Sequence, residues 1–123
     1  MGSLIDYQRF WREQSQREEE ERMSLLELLR RRAKEAAGIL VKEFKAKKVY
    51  LIGSTAGGAF FHKHSDVDLA VMGLAPPKYF SALAKMRNLF AGKSEVDLIP
   101  LEDATPEMRA KIEKQGELLN GEI

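Results

Sequence analysis

The sequence predicts an α/β (α+β) fold: a small mixed β-sheet of three or more strands, helices packed on it, and a long N-terminal helix. Two observations predict it. Residues 1–46 read as helix, with apolar side chains at steps of three and four from Leu25 onward. From Lys47 onward, short apolar runs alternate with helical patterns, punctuated by glycine and proline.

The elements follow in order. Ser3 with Asp6 reads as a capped helix start. Leu25, Leu29, Ala33, Ala36, Leu40 and Phe44 define one broad face, with Leu26, Ala37 and Val41 beside it. Ser24 and Glu27 form a second capping pattern, which fits either a break near Met23 or one continuous helix. Glu18 with Arg22 and Glu27 with Arg31 are ordered for i,i+4 pairing. A first strand is expected over about 48–53 and a second over about 67–73. Pro76-Pro77 opens a helix running to about residue 91, with Phe80, Leu83, Ala84, Arg87 and Phe90 at helical spacing and Gly92 as its stop. Glu95 to Ile99 reads as a third strand that Pro100 ends. Thr105-Pro106 starts a final helix expected over about 106–119, with Gly116 weakening its end. The organisation is a helical extension over 1–46 and a compact unit over 47–123, one structural domain in all.

Composition narrows the function classes. The balance of 20 basic and 19 acidic residues leaves a net charge of +1, which argues against a dominant nucleic-acid-binding field. The chain has no cysteine, so disulfides, thiolate nucleophiles and zinc–thiolate sites are excluded. No apolar run is long enough to span a membrane, and the N-terminus lacks a signal-peptide core. Asp6 stands where a myristoylation signal needs Ser or Thr. These features lead to the expectation of a soluble, cytoplasmic protein.

The chemistry concentrates between Gly53 and Asp68. A small-residue turn leaves the first strand, and two carboxylates, Asp66 and Asp68, sit two residues apart at the next. Strand alternation sends both to one face. Like charges so close call for a cation between them, and hard oxygen ligands suit Mg²⁺ when phosphate oxygens complete the shell. Gly53, Ser54, Gly57 and Gly58 offer backbone N–H groups that a phosphate can approach. Glu95 and Asp97 share one face of the third strand, so a third acid can join the pair if the strands are neighbours. Gly53 to Gly58 is followed by Ala59-Phe60 rather than Lys-Ser or Lys-Thr, so this is no P-loop. His62 and His64 read best as polar loop residues, since a zinc site needs three or four protein ligands.

The Gly53-Ser54 turn, Asp66-x-Asp68 and Asp97 together resemble the DNA polymerase β-like nucleotidyltransferase superfamily, and in detail its minimal nucleotidyltransferase (MNT) branch. The resemblance covers residues 48 to 101 and implies the nucleotidyltransferase fold. It implies transfer of a nucleoside monophosphate, AMP from ATP, onto a hydroxyl with release of pyrophosphate. It assigns Asp66, Asp68 and Asp97 as metal-binding and catalytic residues, with Glu95 in reserve. Gly53, Ser54, Gly57, Gly58 and Ser65 fall to nucleotide binding, and Mg²⁺ is the implied cofactor. MNT proteins often pair with a small helical HEPN-domain toxin as its antitoxin, so such a protein is the implied partner; self-association is left open. One departure stands out. The family often has arginine where this chain has Gly57, a loss of cation that Lys63, His62 or a partner residue has to offset if the site is active.

Two further readings have some support. Tyr7, Phe10 and Trp11 on the first helix suit a non-catalytic module that neutralises a partner by contact. Arg30-Arg31-Arg32 with Lys42, Lys45, Lys47 and Lys48 is the only support for nucleic-acid binding, and interspersed helix charges usually face solvent.

Overall fold

The computed structural model describes residues 3–57, 61 and 66–121. Helix α1 runs unbroken from Leu4 to Lys42, so the Ser24–Glu27 pattern lies inside it and marks no break. Its start is a capping box: the Ser3 hydroxyl accepts from the Asp6 N–H, and the Asp6 carboxylate accepts from the Ser3 N–H. The two halves of α1 differ. Every residue from Ser3 to Glu21 is exposed except Gln14, which is half-buried. Leu26, Leu29, Ala33, Ala36, Ala37 and Leu40 are buried, a stripe at helical spacing that presses on the sheet.

The sheet contains β1 (Lys48–Ile52), β2 (Val67–Met72), β3 (Val96–Pro100) and β4 (Glu117–Asn120) in the order β3-β2-β1-β4. β1 is antiparallel to both β2 and β4, while β2 and β3 are parallel, so the sheet is mixed. Helix α3 (Tyr79–Leu89) makes the crossover between the parallel strands. Val49, Leu51, Val67, Leu69, Val71, Val96 and Leu98 point to the α1 and α3 side and form the main core. Tyr50 and Ala70 point to the other side, where they pack with Leu101 and with Ile112 of α4 (Pro106–Gln115).

Several expectations change. The final helix ends at Gln115, and residues 117–120 form β4 rather than a continuation. Gly116 marks the switch: a Cβ there would lie 2.6 Å from the Ile112 carbonyl and 3.0 Å from Ile52, so only glycine lets the chain fold back onto β1. Pro76–Lys78 is a 3₁₀ turn, and the α-helix begins at Tyr79. That helix buries Ala82, Leu83 and Met86, while Phe80 is 79% exposed and Ala84 is also exposed; the true stripe is rotated from the one read off the sequence. Glu95 lies just outside β3, although its carbonyl accepts from the Val67 N–H at 2.9 Å. Pro100 closes β3 as its last residue, tolerated because β3 is an edge strand. Arg22 pairs with Glu19 rather than Glu18, at 2.7 Å.

Candidate active site

The strand register builds the site. Ile52 of β1 lies opposite Asp68 of β2, and Asp68 lies beside Asp97 of β3. Each alternates with residues of the main core, so the three side chains form a row on the α4 face. Asp68 takes the central place and is half-buried, while Asp66, one residue ahead of β2, and Asp97 are exposed. Burial raises the Asp68 carboxyl above its ordinary value, and the neighbouring Asp97 and Asp66 carboxylates push it further in the same direction. Apposed parallel strands thus force two carboxylates side by side, and the third adds to the repulsion.

The turn meets this row at its end. Gly53 leaves β1 at φ +78°, and a Cβ there would lie 3.1 Å from Asp68 Oδ2. Glycine serves both needs, a left-handed backbone and a close approach to the central acid. Ser54–Gly57 then make one helical turn, α2, in which the Gly53 carbonyl accepts from the N–H groups of Ala56 at 3.2 Å and Gly57 at 3.4 Å. Thr55 is fully buried, and its hydroxyl donates to the Asp66 carbonyl at 3.1 Å. That bond ties the start of the intervening loop to its end. Phe61, 3% exposed, anchors the middle of the loop in the main core, and its carbonyl accepts from Arg22 at 3.4 Å.

Sequence reasoning missed one group here. Arg30, read as part of a solvent-facing basic run, instead braces the turn. It donates to the carbonyls of Ala56 at 2.7 Å and Thr55 at 3.3 Å, and pairs with Glu117 of β4 at 2.6 Å. The one available signal was charge type: a guanidinium suits the carbonyl end of a turn. Arg32, from the same run, pairs with Glu35 at 3.1 Å.

Gly58 and Ser65, assigned to nucleotide binding from sequence, lie outside the described residues, as do His62, Lys63 and His64. Of the other assigned residues, Gly53, Ser54, Gly57, Asp66, Asp68 and Asp97 gather at one end of β1–β3, and Glu95 is exposed at the start of β3. Among the described residues, no three Asp, Glu or His side chains form a ready-made metal cage. Mg²⁺ characteristically binds through one or two carboxylates and completes its shell with water and substrate phosphates, and Asp68 and Asp97 lie side by side in the strand register. The donor set therefore fits the ion: hard oxygens, excess negative charge, and an adjoining turn open to phosphate.

Beside the row lies a cavity of about 410 Å³, lined by Ile52, Gly53, Ala56 and Gly57 on one wall and by Met108, Lys111, Ile112, Gln115 and Gly116 on the other. A second hollow of about 340 Å³, mostly apolar, lies between Ile99 and Pro100 of β3 and Thr105 and Met108 at the start of α4.

Comparison with known proteins places this geometry. Residues 34–122 match the family described as "Polymerase beta, Nucleotidyltransferase", and the chain belongs to that family. A solved structure described as a minimal nucleotidyltransferase is 26% identical, with a TM-score of 0.62, covering 74% of this chain and 92% of that one. A chain of a toxin–antitoxin crystal structure with AMP-PNP is 28% identical, with a TM-score of 0.59, covering 72% of this chain and 73% of that one. The toxin–antitoxin structure MntA–HepT shares the fold at 24% identity and a TM-score of 0.52, covering 73% of this chain and 71% of that one. No curated protein matches the chain. No helix among the described residues is long and apolar enough to cross a membrane.

Proposed function

We propose that this chain is a Mg²⁺-dependent nucleotidyltransferase that moves AMP from ATP onto a hydroxyl of a partner protein, as the antitoxin of an MNT/HEPN-type pair. The observation that carries the reading is the Asp68–Asp97 pair in register on neighbouring strands, with the Gly53 turn closing on Asp68 Oδ2. Similarity to a toxin–antitoxin chain solved with AMP-PNP supports the adenine nucleotide and the antitoxin setting.

In this reading Asp66 and Asp68 would hold Mg²⁺, with triphosphate oxygens and water as further ligands. Bound there, the ion supplies charge neutralisation at the leaving group and a lower pKa at the acceptor hydroxyl. The Ser54 hydroxyl and the N–H groups at the start of the turn bind the phosphates, with Gly57 in the same wall; Gly58 and Ser65 are assigned to the same role from the sequence alone. The acceptor oxygen attacks the α-phosphorus, the bond from that phosphorus to the β-phosphate oxygen breaks, and pyrophosphate leaves. Asp97 either completes the metal site or takes the hydroxyl proton. Thr55 holds no substrate; it fixes the distance between the phosphate turn and Asp66. The division of labour is a transferase unit over 47–123 and a helical extension over 1–46. The proposed compartment is the cytoplasm.

The test is incubation with a HEPN-type partner, ATP and Mg²⁺, followed by intact-mass measurement. An AMP-sized increment on the partner, lost in Asp68→Asn, is the expected result. An increment unchanged in Asp68→Asn contradicts the mechanism.

A second reading has one specific observation behind it. Tyr7, Phe10 and Trp11 are all more than half exposed on the projecting part of α1, with Trp11 in edge contact with Tyr7 at 6.0 Å and Phe10 at 5.6 Å between ring centroids. Exposed aromatic clusters of this kind suit partner contact. In this reading neutralisation is by binding, and the acidic row is unproductive.

A further inference from the structure

The turn that receives the phosphates carries no charged side chain, because Gly57 stands where a cation would help. The facing wall of the same cavity carries one. Met108, Lys111, Ile112 and Gln115 follow each other at steps of three, one and three, so a single stripe of α4 lines the cavity opposite Gly53, Ala56 and Gly57. Among the described residues of that lining, Lys111 is the only charged one. None of the ion pairs among the described residues involves it: Arg109 takes Glu113 at 3.2 Å, and Arg30 is occupied by Glu117 at 2.6 Å. Its potential partner one helical turn earlier, Glu107, is exposed and forms no ion pair. Lys111 is therefore uncommitted, solvent-accessible and across a cavity of about 410 Å³ from the turn.

We propose that Lys111 binds the terminal phosphates of the nucleotide and supplies from α4 the positive charge that the turn lacks. This rests on the nucleotidyltransferase reading and deepens it. A triphosphate entering beside Asp66, Asp68 and Asp97 brings several more negative charges into an already acidic corner. Mg²⁺ offsets those next to the carboxylates. The far end of the triphosphate, against a neutral Gly-Ala-Gly turn, needs a second cation, and an ammonium on a four-carbon stem reaches across a cavity as a point charge. As pyrophosphate leaves, its growing charge is stabilised by the same group. Arginine in the turn and lysine on the facing helix are alternative routes to one electrostatic end.

The dependence on phosphate number tests this. Affinities for ATP, ADP and AMP are measured by titration calorimetry with Mg²⁺ on the full chain and on Lys111→Ala, Lys111→Arg and Lys114→Ala. Lys114 is exposed on the same helix but outside the cavity lining, and serves as the control. Lys111→Ala is expected to lose about tenfold in ATP affinity, the scale of one charge-assisted contact. It should keep its AMP affinity; Lys111→Arg restores ATP binding, and Lys114→Ala matches the parent. Melting temperatures check that each variant is folded. ATP affinity unchanged in Lys111→Ala, or lost equally for ATP and AMP, overturns the assignment while leaving the nucleotide reading intact. A parent chain that binds no triphosphate overturns both.

Discussion

At the scale of single residues, the account turns on Asp68. It sits between Ile52 and Asp97 in the sheet, and its carboxyl is raised by burial and by two neighbouring acids. The linkage sign follows. A raised acid pKa means the folded chain holds that proton more tightly than the unfolded chain. Folding is therefore not penalised below the ordinary value of 3.8, and stability is lost as pH rises from there through the raised folded value. The penalty applies at pH values above the raised folded value. Asp68→Asn is accordingly expected to melt higher than the parent at pH 7 without Mg²⁺, with the difference shrinking as pH falls toward 3.8. Adding Mg²⁺ and ATP should stabilise the parent and leave the variant behind. Thermal melts across pH, with and without the ligands, check both orders. Gly53 is the second critical residue. Gly53→Ala forces a side chain into a left-handed backbone 3.1 Å from Asp68 Oδ2, which costs about 1–2 kcal/mol of stability. Because the crowded atom is the central acid, nucleotide affinity falls as well; chemical denaturation and calorimetry read the two effects separately.

At the scale of elements, Arg30 joins three pieces that are distant in sequence: α1, the α2 turn and β4. Arg30→Ala removes two hydrogen bonds from turn carbonyls and one ion pair that is about one-third exposed, with 33% and 35% of the two side chains accessible. The expected loss is about 1–2 kcal/mol, between that of an exposed and a buried pair. Urea denaturation measures it. Glu117→Gln, which keeps the shape and leaves the turn carbonyls bonded to Arg30, should cost less. This brace also shows what the sequence hides. Asp66-x-Asp68 is legible because strand alternation is local, and two apolar runs announce the strands around it. Arg30 and Glu117 are 87 positions apart, and nothing local links them. Strand β4 was hidden for a related reason. Its four residues are half-buried throughout and too few to establish a period, and they follow a strong helix signal. Only Gly116 marked the change, and a glycine near a helix end reads equally well as fraying. In helix α3 the spacing finds the buried Leu83 and Phe90 but also includes Phe80, Ala84 and Arg87, which the fold leaves exposed, and omits the buried Ala82 and Met86.

At the scale of the whole molecule, the two halves of α1 have separate tasks. The half from Leu26 to Leu40 is core, and its removal would open the main apolar cluster. The half up to Glu21 projects from the body of the fold and presents Tyr7, Phe10 and Trp11 to solvent. A chain lacking residues 1–22 is therefore expected to fold and to keep the parent's ATP affinity within about twofold, since the stripe from Leu26 to Leu40 still covers the sheet. If neutralisation is by contact alone, that chain loses its partner; co-purification with the partner reads this directly. The family and the fold explain why the sequence is readable at this scale: a glycine turn, an acid pair and a later strand acid come in a fixed order along the chain, and the mixed sheet brings them together by register.

The role proposed for the Asp66, Asp68 and Asp97 corner is to bind a triphosphate through Mg²⁺. Calorimetric titration of the full chain with ATP at millimolar Mg²⁺ tests it most directly. The account predicts binding that is abolished by EDTA and lost in Asp68→Asn. No binding by the parent chain, or binding that persists unchanged in EDTA and in Asp68→Asn, would contradict it.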